Sequence, residues 1–128
     1  MNSARKFAIL IPLAVLVIMA GTSIWAQQKA AVVKGYVLDS SCAFIKNLQK
    51  PISRKCALQC ANAGSQLVIL SEDGTIYWPI SDALPATGQN HRLTEFAGQK
   101  VTAEGKVFEK GGSRAIVIQK IDAAPASK

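Results

Sequence analysis

The chain has 128 residues, fifteen Lys or Arg against eight Asp or Glu for a net charge of +7, three cysteines and one histidine. That length provides for one domain, and the basic residues are scattered, with no run longer than Arg54-Lys55, which describes a solvated surface rather than a nucleic-acid tract. With one histidine, Ser–His–acid catalysis would need His91 beside a serine and a carboxylate; no nucleophile-elbow motif and no phosphate-cradling glycine loop accompanies it.

The N-terminus reads as a targeting segment. Arg5 and Lys6 precede an apolar run broken only by Pro12, and small Ala26 stands before polar Gln27. This is the layout of a secretory signal peptide over residues 1–26, cut before Gln27. The rival reading is an uncleaved membrane anchor over residues 7–26, since about 20 apolar residues span a bilayer. Basic residues ahead of the run keep the N-terminus inside and send the rest out. Either way the domain, residues 27–122, lies outside the cytoplasm: periplasmic, extracellular, or tethered to the inner membrane. Removal of residues 1–26 leaves thirteen basic residues against eight acidic ones. Residues 123–128 read as a loose tail.

The first strand covers residues 32–38, rich in β-branched side chains. Gly35 inside it predicts a bend or a close backbone approach. Asp39-Ser40-Ser41 turns the chain into Cys42, and residues 43–49 allow a helical turn before Pro51. Ser53 to Gly64 is a short helix: Ser53 suits the N-cap, Gly64 suits the left-handed stop, and Ala, Leu and Gln between them are good helix formers. Residues 66–70 form the second strand. Asp73-Gly74 is a hairpin signal, and residues 76–80 return as the third strand, which Pro79 ends or confines to an edge. A loop over residues 81–90 leads to a short helix capped by Asn90 and running to Phe96, with Leu93 and Phe96 inward and Gly98 ending it. In the fourth strand Val101, Ala103, Gly105 and Val107 face one way while Thr102, Glu104 and Lys106 face the other. A turn at Lys110-Gly111-Gly112-Ser113 precedes the last strand, residues 114–121.

The expected fold is therefore mainly β: a five-stranded OB-like barrel, with a cysteine-bearing helical insert between strands 1 and 2 and a short helix between strands 3 and 4. Through Val33-Lys34-Gly35-Tyr36-Val37, the stretch from Leu93 to Val107 and the closing Ile116-Val117-Ile118, the chain resembles small exported OB-fold-like domains of bacterial envelopes. The spacing of Gly35, Asp39, Cys42, Cys56, Cys60 and Gly64 resembles an uncharacterised, cysteine-containing type among them. The resemblance implies a binding scaffold rather than a reaction, with an envelope ligand or protein as partner. Tyr36, Tyr77, Trp78 and Phe108 would serve as a base-stacking face, but core or hairpin packing explains them equally, and export argues against nucleic acid.

The chemistry concentrates in the cysteines. Cys56 and Cys60, four apart, share one helix face, and Cys42 approaches from the preceding segment. An exported protein meets an oxidising compartment, where three cysteines make at most one internal disulfide. Cys42 with Cys56 or Cys60 suits the required geometry better than Cys56 with Cys60, and a loop of roughly 15 residues makes such a bridge worth about 3 kcal/mol in the chain-entropy model. A second reading brings three thiolates onto one soft ion, Zn(II) or Cu(I), with Asp39 or His91 as fourth ligand. A third is thiol–disulfide exchange, with Cys56 acting beside Arg54 and Lys55 and Cys60 or Cys42 as its partner; the three-residue gap differs from the two-residue spacing of familiar oxidoreductases.

Overall fold

The structure, a computed structural model, describes residues 29–46 and 52–125. The expected signal or anchor and the last three residues of the expected tail lie outside the described residues. Among the described residues no helix is long and apolar enough to cross a membrane.

Five strands close a barrel. They are β1 (Lys29–Asp39), β2 (Leu67–Ser71), β3 (Ile76–Pro79), β4 (Lys100–Lys110) and β5 (Ser113–Ala123), in the order β1-β2-β3-β5-β4. All contacts are antiparallel except β3 with β5, which run parallel from Tyr77↔Arg114 to Pro79↔Ile116. Two helices, α1 (Ser40–Ile45) and α2 (Arg54–Asn62), fill the connection between β1 and β2. A third, α3 (Asn90–Leu93), continues into a 3-10 turn at Thr94–Phe96 between β3 and β4. This is the OB-like barrel, insert and crossover helix expected from the sequence.

Closure depends on β1 serving two partners. Lys29 to Tyr36 pairs with β4, while Gly35 to Asp39 pairs with β2. The strand coils where these stretches overlap. A Cβ at Gly35 would lie 2.3 Å from the Leu70 carbonyl oxygen, so only glycine lets the two backbones meet there.

The β4 alternation holds: Val101, Ala103, Gly105 and Val107 are all buried. Val101, Ala103 and Val107 fill the barrel together with Val33, Val37, Leu67, Ile69, Ile116 and Ile118. Leu93 from α3 and Ala57 from α2 join that cluster, each fully buried. A second cluster forms around Leu38, Val68 and Leu70, residues that alternate with the barrel-filling positions along β1 and β2, and it includes Cys42 and Ala43 of α1. The cysteine insert thus contributes to both clusters, and α2 lies across the rim, with Ala57 packed in one and Cys56 against the other.

Several boundaries differ from the sequence reading, each for a local reason. The first helical turn begins at Ser40, three residues before the expected start, because the Asp39 carboxylate caps it. The helix expected to be capped by Asn90 has Gln89 in the cap position and no side-chain cap bond. The Asn90 amide is engaged across the fold instead: its Oδ1 accepts from Leu67 N–H at 2.8 Å and its Nδ2 donates to Ser65 O at 2.8 Å. The last strand extends to Ala123, the first residue of the expected tail, and the N–H of Ala124 donates to Lys100 O at 2.8 Å. The aromatics do not share one face. Tyr77 packs against the barrel-filling cluster, whereas Tyr36 and Trp78 pack against the second.

Candidate thiol and metal centre

Asp39 is the last residue of β1 and the N-cap of α1. Its carboxylate accepts the Cys42 N–H at 3.0 Å from one oxygen and 3.3 Å from the other. A capping side chain of this kind replaces a partner that the first helical turn lacks. The capped turn carries Cys42 into the second cluster, where it is 4% exposed.

Helix α2 positions the other two thiols. Ser53 Oγ accepts the Cys56 N–H at 3.2 Å, the cap anticipated from the sequence. At the other end Ser65 N–H donates to Cys60 O at 3.0 Å and Gly64 N–H to Ala61 O at 3.1 Å, with Gly64 at φ +98°. This paired closure is a Schellman motif, and it requires the left-handed residue. With both ends fixed and Ala57 buried in the core, the Cys56–Cys60 edge has one orientation. Asn90 secures the exit from α2 by binding Ser65 and Leu67, the residues that lead into β2.

The three sulfurs converge. The Sγ atoms of Cys42, Cys56 and Cys60 all lie within 4.8 Å of one another, and all three are free thiols. Burial pushes the Cys42 thiol up to about 12, and the hydrogen bond to Asp39 and its charge add to the effect. The Cys60 thiol is raised as well, by desolvation first and then by the Asp39 charge.

Asp39 is fully buried. Among the described residues the ion pairs are Lys100–Glu72, Arg114–Glu109 and Lys120–Asp122, so no cation stands against its carboxylate. Neither candidate fourth ligand belongs to the converging set; Asp39 is tied to it only through the Cys42 N–H that its carboxylate accepts. The His91 ring is exposed on α3, with Nδ1 3.1 Å from Gly88 O, and it is not part of the converging set. The sequence placed its helix correctly, but a four-residue α3 turned by Leu93 into the core leaves His91, two residues earlier, facing solvent.

Two features of this region are not legible in the sequence. The sequence marks Asn90 only as a cap, since a polar residue at the start of a short helix gives no signal of a distant backbone partner. Phe44, two residues beyond Cys42, is 61% exposed and stacks on Trp78 with ring centroids 6.1 Å apart. These rings border an open groove of about 460 Å³ that Thr75, Ile76, Ser113 and Arg114 also line.

Comparison with known proteins finds no matching family model, no similar curated protein and no similar solved structure.

Proposed function

We propose that this chain is an exported, non-enzymatic binding module of the bacterial envelope that holds a soft metal ion through Cys42, Cys56 and Cys60. The observation that carries this reading is the convergence of three sulfurs from two helices to within 4.8 Å of one another. A tetrahedral zinc centre with Zn–S bonds of about 2.3 Å separates its sulfurs by about 3.8 Å. At most about 1 Å of side-chain adjustment per pair therefore brings these thiols to that spacing. Thiolates are the donors that Zn(II) and Cu(I) accept readily. Export rests on the leader-like residues 1–26 and on the resemblance to small exported domains.

The same proximity favours a second reading, thiol chemistry. A disulfide from Cys42 to Cys56 or Cys60 would pin the insert to the end of β1, and Cys56 with Cys60 or Cys42 would make an exchange pair. The raised Cys42 and Cys60 thiols weigh against either of these two as the attacking group, because the thiolate is the attacking species.

Intact mass of the protein exported by a bacterial host separates these readings. It is recorded under native conditions, then denatured with thiol alkylation and no reductant. The proposal expects a metal adduct in the native spectrum and three alkylated thiols after denaturation. A chain two hydrogens lighter with one alkylated thiol would replace the metal site with a disulfide. The same mass reports whether the chain begins at Gln27.

A further inference from the structure

Resting on that metal-site reading, we infer that the site takes one Cu(I) ion in a three-coordinate shell of sulfur alone, in preference to zinc.

No fourth ligand from this chain joins the sulfurs. The sequence holds three cysteines, one histidine and eight acidic residues, and every one of them lies among the described residues. The one set of three or more whose ligand atoms all lie within 4.8 Å of one another is Cys42, Cys56 and Cys60. His91 faces solvent with its Nδ1 at Gly88 O, and the Asp39 carboxylate is engaged as the cap of α1. The protein therefore offers three soft donors and no nitrogen or carboxylate oxygen beside them.

That donor set completes one ion and leaves the other short. A structural zinc site is closed by four protein ligands, and a zinc that keeps only three takes water as its fourth. Sites of the second kind use that water as a nucleophile and are built mainly from histidine and carboxylate. Three anionic sulfurs would instead blunt the metal charge that acidifies it. Cu(I) is selected by soft thiolate donors. As a monovalent ion with a filled d shell it is satisfied by three of them in a plane, without water. With bonds as long as zinc–sulfur bonds, about 2.3 Å, a planar triangle sets its sulfurs about 4.0 Å apart. That spacing is compatible with sulfurs that already lie within 4.8 Å of one another.

Charge acts in the opposite direction. Three thiolates keep one more negative charge beside Cu(I) than beside zinc, and buried charge is costly. Two features relieve it. Cys56 and Cys60 are half-buried, so water reaches that side of the cluster. Cys56 also lies in the first turn of α2, beside Arg54 and Lys55, where the positive end of the helix favours an anion. On binding, three S–H bonds are exchanged for three copper–sulfur bonds and the three protons pass to solvent. The copper enters and stays as Cu(I), so no electron moves.

The test takes the protein exported by a bacterial host, strips it of metal under reducing, anaerobic conditions, and offers it equal amounts of Cu(I) and Zn(II). Metal analysis and X-ray absorption of wild type then give an answer that does not depend on any variant folding. One copper per chain is expected, with three sulfurs around it and no oxygen or nitrogen donor. Cu(I) is also titrated against a competing chelator in wild type, Cys60→Ser and His91→Ala. The Cu(I) affinity of Cys60→Ser should be at least about tenfold weaker, the scale seen even for outer partners of metal ligands, and His91→Ala should bind like wild type. Zinc taken up in place of copper, an oxygen or nitrogen donor on the copper, wild-type affinity in Cys60→Ser, or loss of Cu(I) on His91→Ala would overturn the inference while leaving the metal site standing. Failure of wild type to bind either metal would remove the metal-site reading itself.

Discussion

The insert should depend on one side chain that no cysteine chemistry involves. Asn90→Ala removes two hydrogen bonds, from Leu67 N–H and to Ser65 O, both 2.8 Å. Leu67 is fully buried, so its N–H loses its partner where water does not readily replace it. A buried donor left unsatisfied costs about 1–3 kcal/mol, and the second bond contributes about 0.5–1.5 kcal/mol net. Relaxation around the smaller alanine recovers some of this, leaving an expected loss of about 2.5 kcal/mol within those ranges. For a domain of this size each kcal/mol lowers Tm by about 4–8 °C, so a fall of about 10 °C or more is expected. Urea unfolding followed by far-UV circular dichroism measures the loss directly, with an unchanged m-value marking a change in stability rather than in compactness. A loss below about 0.5 kcal/mol, the range of ordinary surface changes, would mean that Asn90 does not hold the exit from α2, and the account of how Cys60 is positioned would need revision.

Other outcomes follow from the same structure. Gly35→Ala sets a Cβ 2.3 Å from the Leu70 carbonyl oxygen and should cost about 3 kcal/mol or more, the upper range for overpacking, in the same urea assay; a neutral variant would show that β1 and β2 do not approach so closely. Leu93→Ala empties a fully buried position in the barrel and should cost about 2–5 kcal/mol, whereas the exposed Leu84→Ala should fall within about 0.5 kcal/mol of wild type. With its thiol pushed up to about 12, Cys42 should react with iodoacetamide at pH 8 at least about 100-fold more slowly than a free cysteine; mass-mapped labelling at the ordinary rate would contradict its burial beside Asp39. Asp73 accepts from Ser71 Oγ and from Thr75 N–H, which depress it to about 2. Its contribution to stability is therefore complete above the unfolded carboxylate value of about 3.9 and is lost as pH falls through about 2. The stability gap between wild type and Asp73→Asn should narrow over that interval, and a constant gap from pH 5 to pH 2 would refute the assignment.

Much of this protein is local and was therefore legible in the chain. Alternation places Val101, Ala103 and Val107 inside because successive strand residues face opposite ways. Ser53 and Gly64 bound α2 because a free N–H and a left-handed turn each favour particular residue types. The Asp73-Gly74 turn and the pause at Pro79 follow from backbone geometry in the same way. Helical spacing alone put Cys56 and Cys60 on one face. The tertiary structure decided what depends on groups distant in the chain. Closure of the barrel brought β3 beside β5, in parallel, and split the aromatics between two clusters. It turned Asn90 from a local cap into a tie to Ser65 and Leu67. It also separated the two proposed oxygen and nitrogen ligands, burying Asp39 at the cap of the turn that carries Cys42 and leaving His91 in solvent. Hydrophobic pattern and capping act over a few residues and can be read from them. The meeting of three sulfurs depends on how two helices pack across a closed barrel, which no short stretch of sequence specifies.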